Sequence, residues 1–317
     1  MKSNNAFFYF GLIAVLAGLG SLPFLLTGSY FFFAAFSVLQ YVVMATAWNI
    51  LGGNTGYVNF GSSAFFAIGA YSTVAAYKLV QASLFSCIVF GSLMAALVGL
   101  AMGYLTLRLK GVFFSIATLA LLVVLFTIVI NSDFLGGARG FYVIVDRDNV
   151  FGVLQYIHYL YLIMLLVSAF AIIVARTIQN SNLGKGLSAI RDNEVAAESL
   201  GVPTLKLKLI ATTVSGGLMG MAGTVFPFLI TYVDPTSTFN FAISVNSIAM
   251  PLIGGMASWL GPVIGALLLG TIQQILTVTI SSAGNLLIVG LLLVFFVILA
   301  PNGIMGWVDK WGKGRKG

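Results

Sequence analysis

Charge is what this sequence has least of. Its 317 residues include 15 Lys or Arg and 8 Asp or Glu, so charged residues make up 7%, where a soluble domain carries about 25%. With 60% hydrophobic residues beside so little charge, a water-soluble globule, a disordered chain and a disulfide scaffold are all excluded. One cysteine, Cys87, and one histidine, His158, are too few for a structural zinc site or an intramolecular disulfide. A phosphate-binding loop is missing too. The one Gly-Lys pair, Gly184-Lys185, is followed by Gly186 and lacks the Gly-x-x-x-x-Gly-Lys-Ser/Thr frame whose amides cradle phosphate. If ATP drives this protein, another polypeptide binds it. No Ser-His-Asp, metal-ligand or paired-carboxylate constellation stands out, so the reading is a protein without cofactor or catalytic site.

What is present is apolar sequence in long runs. About 30 Å of hydrocarbon crossed at 1.5 Å per residue needs roughly 20 mainly apolar residues. Ten stretches qualify, approximately Ala6 to Leu26, Tyr30 to Leu51, Tyr57 to Tyr77, Ser83 to Leu107, Val112 to Asn131, Ile157 to Ala175, Leu209 to Tyr232, Phe239 to Met256, Pro262 to Ile280 and Leu286 to Ala300. The third and eighth are interrupted by Gly and polar residues. The expectation is an all-α integral membrane protein of about ten transmembrane helices, forming a single transmembrane domain over residues 1–317. A non-spanning segment is expected at 132–156 on one side and at 178–208 on the other.

Lys and Arg favour the cytoplasmic side of short loops. With the amino terminus inside, Lys2, Arg108, Lys110, Arg176, Lys185, Arg191, Lys206, Lys208, Lys310, Lys313, Arg315 and Lys316 lie inside, while only Lys78, Arg139 and Arg147 lie outside. Both termini are thus expected in the cytoplasm of a bacterial or archaeal plasma membrane. The first span is expected to be retained, being longer than a signal core and lacking a clear Ala-x-Ala site. The basic tail, with Trp307 and Trp311, reads as an anchor at the anionic lipid surface and not as a nucleic-acid site.

Away from their ends the ten spans contain no ionisable residue, so no proton relay is visible. A sodium-coupled carrier of a small polar solute stays open as the alternative, since carbonyls and neutral side chains can bind that ion. Glycine totals 36, and two clusters lie in opposite halves: Gly52 to Tyr71, and Asn246 to Gly265. Broken apolar segments at matching places in two halves point to a transport path, because unwound backbone is tolerated only where protein or water surrounds it. The candidate path residues are Asn59, Gly61, Ser62, Ser63, Asn246, Ser247, Gly254 and Gly255. The competing reading is that Gly and Ala there let helices approach closely.

Within 178–208, Asn193 to Pro203 has the grammar of a two-turn helix. Asn193 can cap it, Glu194 suits the positive end of its dipole, Gly201 can take a left-handed stop, and Pro203 prevents continuation. Two turns are too few to stand alone, so the helix needs a surface to pack on.

Here the sequence resembles a known family. The Glu-x-Ala-Ala-Glu-x-x-Gly stretch after Leu187-Ser188-Ala189-Ile190-Arg191-Asp192 is similar to the coupling loop of ABC importer permeases of the LivM type, which serve branched-chain amino acid uptake. The resemblance extends to Trp48-Asn49-Ile50-Leu51, Leu107-Arg108-Leu109-Lys110-Gly111, Gly136-Gly137-Ala138-Arg139-Gly140, Gly217 through Gly223, Gly254-Gly255 with Gly261-Pro262, and Pro301-Asn302-Gly303-Ile304, in order. Ser62 departs from it, since many members have His there. The resemblance implies ATPase coupling through Glu194, Ala196, Ala197, Glu198 and Gly201. It also implies a second, similar permease subunit, two ATPase subunits and an extracytoplasmic binding protein as partners, with branched-chain amino acids, urea or a similar small solute as cargo.

Overall fold

A computed structural model describes residues 2–26, 28–143, 155–279, 290–291, 293–296, 298 and 303–306, with backbone alone for 2–5. Helix dominates: α1 (Lys2–Leu25), α2 (Ser29–Thr55), α3 (Ser62–Val80), α4 (Leu84–Thr106), α5 (Val112–Ile130), α6 (Tyr156–Asn180), α7 (Asn182–Ser199), α8 (Thr204–Ile230), α9 (Pro235–Thr238), α10 (Phe241–Gly254) and α11 (Leu260–Thr279). Two short strands, β1 (Phe141–Tyr142) and β2 (Tyr232–Val233), pair antiparallel and tie two loops together. The all-α expectation holds.

The number of spans needs correcting. Among the described residues, eight helices, not about ten, are long and apolar enough to cross a membrane. The stretch expected from Phe239 to Met256 forms only the 14 residues of α10, which at 1.5 Å each reach about 21 Å of a roughly 30 Å hydrocarbon core. Most of the stretch expected from Leu286 to Ala300 lies outside the described residues, as do Arg147, Trp307, Trp311 and the basic tail from Lys310. The third expected span is also shorter at its start, because 56–61 is not helical and α3 begins at Ser62. At the other boundary, α6 runs on to Asn180 and α8 starts at Thr204, so the stretch between these two long helices is 181–203.

Helices α2, α3 and α8 form the buried centre, and α1 lies at the rim with Phe7, Phe10, Ile13 and Phe24 exposed. Helix α5 presents Val112, Phe113, Ile116 and Ile128 outward, as a lipid-facing helix should. The centre is held by close backbone approach. A Cβ on Gly69 of α3 would strike the Gly220 carbonyl of α8, and one on Gly223 would strike the Phe66 carbonyl. Small residues at such crossings let main chains touch where lipid supplies no hydrophobic drive for association.

Among the described residues, charged groups of the two sets gather at opposite ends. Lys208 donates to the Leu107 carbonyl at 3.3 Å and Arg191 to the Gly53 carbonyl at 3.2 Å, while Gln179 donates to the Ala257 carbonyl at 2.8 Å. These contacts gather the ends of α2, α4 and α6 with α7 at what is here termed the basic end. At the opposite end Lys78 donates to the Phe134 carbonyl at 2.8 Å and Tyr232 to the Arg139 carbonyl at 2.8 Å.

Candidate transport path and coupling region

Helix α2 stops at Thr55 because Gly56 takes φ +77° and closes it with a bond to Gly52 O, a left-handed cap that glycine adopts without penalty. The chain then runs, without helix, along the first turns of α5. Ser115 Oγ donates to Val58 O at 2.8 Å, and Phe60 N donates to Thr118 Oγ1 at 3.1 Å. Thr118 lies six residues into α5, so α3 starts about 9 Å along that helix from its basic end. Trp48 Nε1 donates to Asn59 O at 2.9 Å, and Asn59 Oδ1 accepts from Gly61 N at 2.8 Å.

Helix α10 also begins inside the bundle, from the opposite side. Its first turn meets that of α3: Ser63 N donates to Ser244 Oγ at 2.9 Å, Ser244 Oγ donates to Ser63 Oγ at 3.0 Å, and the Phe60 and Phe241 rings stack at 6.0 Å. Two helix amino termini, one from each half of the chain, therefore face each other within the protein. Each carries the partial positive charge of a helix amino terminus.

The eight sequence-predicted path residues divide. Asn59, Gly61, Ser62 and Ser63 sit together at this junction, and Ser247 lies one turn along α10 from Ser244, donating to Ser244 O at 2.8 Å. Asn246 turns away. It donates to Tyr41 OH at 3.4 Å and accepts from Gln273 Nε2 at 3.0 Å, facing α2 and α11. Gly254 and Gly255 lie at the far end of α10, where a Cβ on Gly254 would strike Gly261 and the backbone of Gly303 presses on both. Asn59, Ser62, Ser63, Asn246 and Ser247 are all buried. Ser244, Thr118 and Trp48 complete the junction and were missed in the sequence; the Ser244/Ser247 spacing of three was the available signal.

The coupling segment matches its capping grammar. α7 is broken at Asn193 (φ −161°, ψ 104°) into arms 182–192 and 194–199, and Asn193 Oδ1 accepts from Ala196 N at 3.1 Å. The second arm ends with Gly201 at φ +86°, Gly201 N bonding Glu198 O at 2.9 Å and Val202 N bonding Ala197 O at 3.0 Å. That pair of bonds is a Schellman closure. Ala197 is buried, whereas Ala196, Glu198 and Ser199 are exposed, as are Val195 at 63% and Leu200 at 86%.

Glu194 does more than face a helix dipole. Its Oε1 accepts from Lys208 Nζ at 2.7 Å and its Oε2 from Tyr57 OH at 2.5 Å, while Lys208 Nζ also donates to Tyr57 OH at 3.2 Å and lies 4.5 Å from that ring's centre. Burial alone would raise the Glu194 carboxyl, but hydrogen bonds from Lys208 and Tyr57 and the charges of Lys208 and Lys110 hold it below the usual carboxylate range. Burial, then the neighbouring carboxylate, push the Tyr57 hydroxyl up, so it keeps its proton and donates it. Among the described residues no group of three His, Cys, Asp or Glu could hold a metal.

The family model described as branched-chain amino acid transport system / permease component matches residues 30–297. This chain belongs to that family. It is 28% identical to the high-affinity branched-chain amino acid transport system permease protein LivM of Escherichia coli, over 93% of this chain and 74% of that one. It is 26% identical to the probable branched-chain amino acid transport permease protein LivH of Methanocaldococcus jannaschii, over 82% and 85%. A shorter match, 25% identical over 39% and 40%, is to the ribose import permease protein RbsC of Haemophilus influenzae. No solved structure matches. The family and the eight apolar helices make the chain a multi-pass membrane permease subunit of an ABC importer.

Proposed function

We propose that this permease subunit pairs with a second, similar subunit, docks two ATPase subunits at its basic end, and takes branched-chain amino acids inward from an extracytoplasmic binding protein. The basic end then lies in the cytoplasm with both termini, as the Lys and Arg distribution favours. The observation that carries this reading is the capped arm 194–199, which holds Val195 and Leu200 out toward water at that end. An apolar side chain 86% exposed on a six-residue arm is suited to a partner's groove. Ala196 and Glu198 share the exposed surface, while Glu194, Ala197 and Gly201 shape and fix the arm.

The junction of α3 and α10 suits a zwitterion. The positive helix ends favour a carboxylate, hydroxyls of Ser62, Ser63, Ser244 and Ser247 can accept from an ammonium, and an apolar side chain meets apolar walls. Without a buried ion pair such a path binds weakly and leaves selection to the binding protein.

The test is Leu200→Glu, examined in a complex assembled with the ATPase, second permease and binding protein encoded beside this chain. The ATPase subunits should no longer co-purify, although the variant inserts in the membrane at normal level. Full ATPase retention with normal leucine uptake would contradict the docking role.

A further inference from the structure

Among the described residues Lys208 is the charged group most deeply committed to the interior, only 2% exposed, and lysines buried within apolar helices are rarely placed so without a task. Its ammonium is at the centre of a closed ring of bonds: to Glu194 on the second arm of α7, to Tyr57 in the α2–α3 connection, and to the Leu107 carbonyl at the end of α4. Tyr57 closes the ring on Glu194 and packs edge-on against Phe114 at the start of α5, with ring centres 5.1 Å apart. Five separate stretches of chain, α8 included, thus meet at one charged knot, directly beneath the exposed arm.

The knot also has a continuation. Tyr57 stands two residues before Asn59 and five before Ser62, joined by a non-helical stretch held against α5 by the Val58–Ser115 and Phe60–Thr118 bonds and turned into α3 by the Gly61–Asn59 bond. This connection is short and tied at each step, so a shift of Tyr57 is passed to Gly61 and the first turn of α3. There it reaches the bonds that join Ser63 to Ser244. A helical connection would have absorbed the same shift within its own turns.

We propose that Glu194, Lys208 and Tyr57 form a positioning linkage that converts movement of the ATPase-docking arm into opening or closing of the α3–α10 junction. This rests on the proposed docking at 194–201, but two of its three residues, Tyr57 and Lys208, are buried away from that docking surface. Glu194 is the hinge pin between the two. One carboxylate oxygen is held by each partner, so the arm cannot rotate without dragging either Lys208 or Tyr57.

The experiment uses the full complex in proteoliposomes in a Cys87→Ser background, with Ser63→Cys and Ser244→Cys added only to the samples in which cross-linking is measured. Two quantities are read: leucine taken up per ATP hydrolysed, and the change in the rate of 63–244 disulfide formation when ATP is added. Tyr57→Phe keeps the ring over Lys208 and removes only the hydroxyl, and Glu194→Gln keeps the side-chain volume. Each should lower uptake per ATP at least tenfold and abolish the ATP-dependent change in cross-linking, while the ATPase subunits co-purify in full. Lys208→Met should behave likewise, with Lys208→Arg restoring part of the cross-linking response, which a merely structural role would not predict. If Tyr57→Phe and Glu194→Gln both keep uptake per ATP within twofold and retain the cross-linking response, the linkage is overturned. Leu200→Glu fails or succeeds separately, so the loss of the docking reading is distinguishable from the loss of this one.

Discussion

Replacing Gly201 disturbs no contact, which makes it a clean probe of the coupling arm. A Cβ there meets nothing within 4 Å, yet the backbone stands at φ +86°. The left-handed region costs an ordinary L-residue about 1–2 kcal/mol, more for a β-branched one and less for Asn, which tolerates it locally. If the residue leaves that region, the bonds from Gly201 N to Glu198 and from Val202 N to Ala197 open together. About 2 kcal/mol is roughly a thirtyfold shift toward the open arm. Gly201→Val should therefore cripple uptake and raise ATP hydrolysed per leucine, with Gly201→Ala intermediate and Gly201→Asn nearest the parent. Backbone hydrogen exchange at 197–202 in the purified complex should follow the same order as transport. The reasoning is refuted if the losses follow side-chain volume, or if Gly201→Val exchanges and transports like the parent.

Cysteines replacing Arg191 and Arg139 in a Cys87→Ser background should label from opposite faces of the membrane, and labelling of both from one face would contradict the orientation. Single cysteines replacing Ser62 and Ser247 should react with a small aqueous thiol reagent only during turnover with ATP and loaded binding protein. Unreactive cysteines at both would make these residues packing positions. Gly69→Leu, whose side chain has no space beside Gly220, should cost several kcal/mol by overpacking and remove folded protein. Gly18→Leu, which meets nothing within 4 Å, should leave the protein level unchanged, and equal losses from both would refute the packing assignment.

Local chemistry was legible in the sequence and long-range pairing was not. Asn193, Gly201 and Pro203 announced the short arm because capping depends on residues a few positions apart. Glu194 read equally well as a dipole partner, since nothing in one sequence joins it to Tyr57, 137 positions away. Lys208 was counted only as a marker of sidedness, although its position in the second turn of a 27-residue apolar helix hinted at burial. The interruptions in the third and eighth stretches were visible, but their consequence was not. Hydropathy registers Gly and polar residues as a weaker span, whereas the backbone uses Gly61 to start α3 and Asn240 to start α10 inside the bundle, one helix shortened at its start and the other too short to cross. Gly254 and Gly255 carry the same composition as the first cluster and serve a helix crossing instead, a distinction that depends on which backbone lies opposite.

The central claim is that this permease moves a branched-chain amino acid by coupling to ATPase subunits. Its most direct test is uptake of radiolabelled leucine into proteoliposomes containing this chain, its partner permease and the two ATPase subunits, with binding protein outside and ATP within. Accumulation should require ATP hydrolysis and the binding protein together, and should persist when sodium and proton gradients are collapsed. Accumulation that survives omission of the ATPase subunits and vanishes with an ion gradient would contradict it.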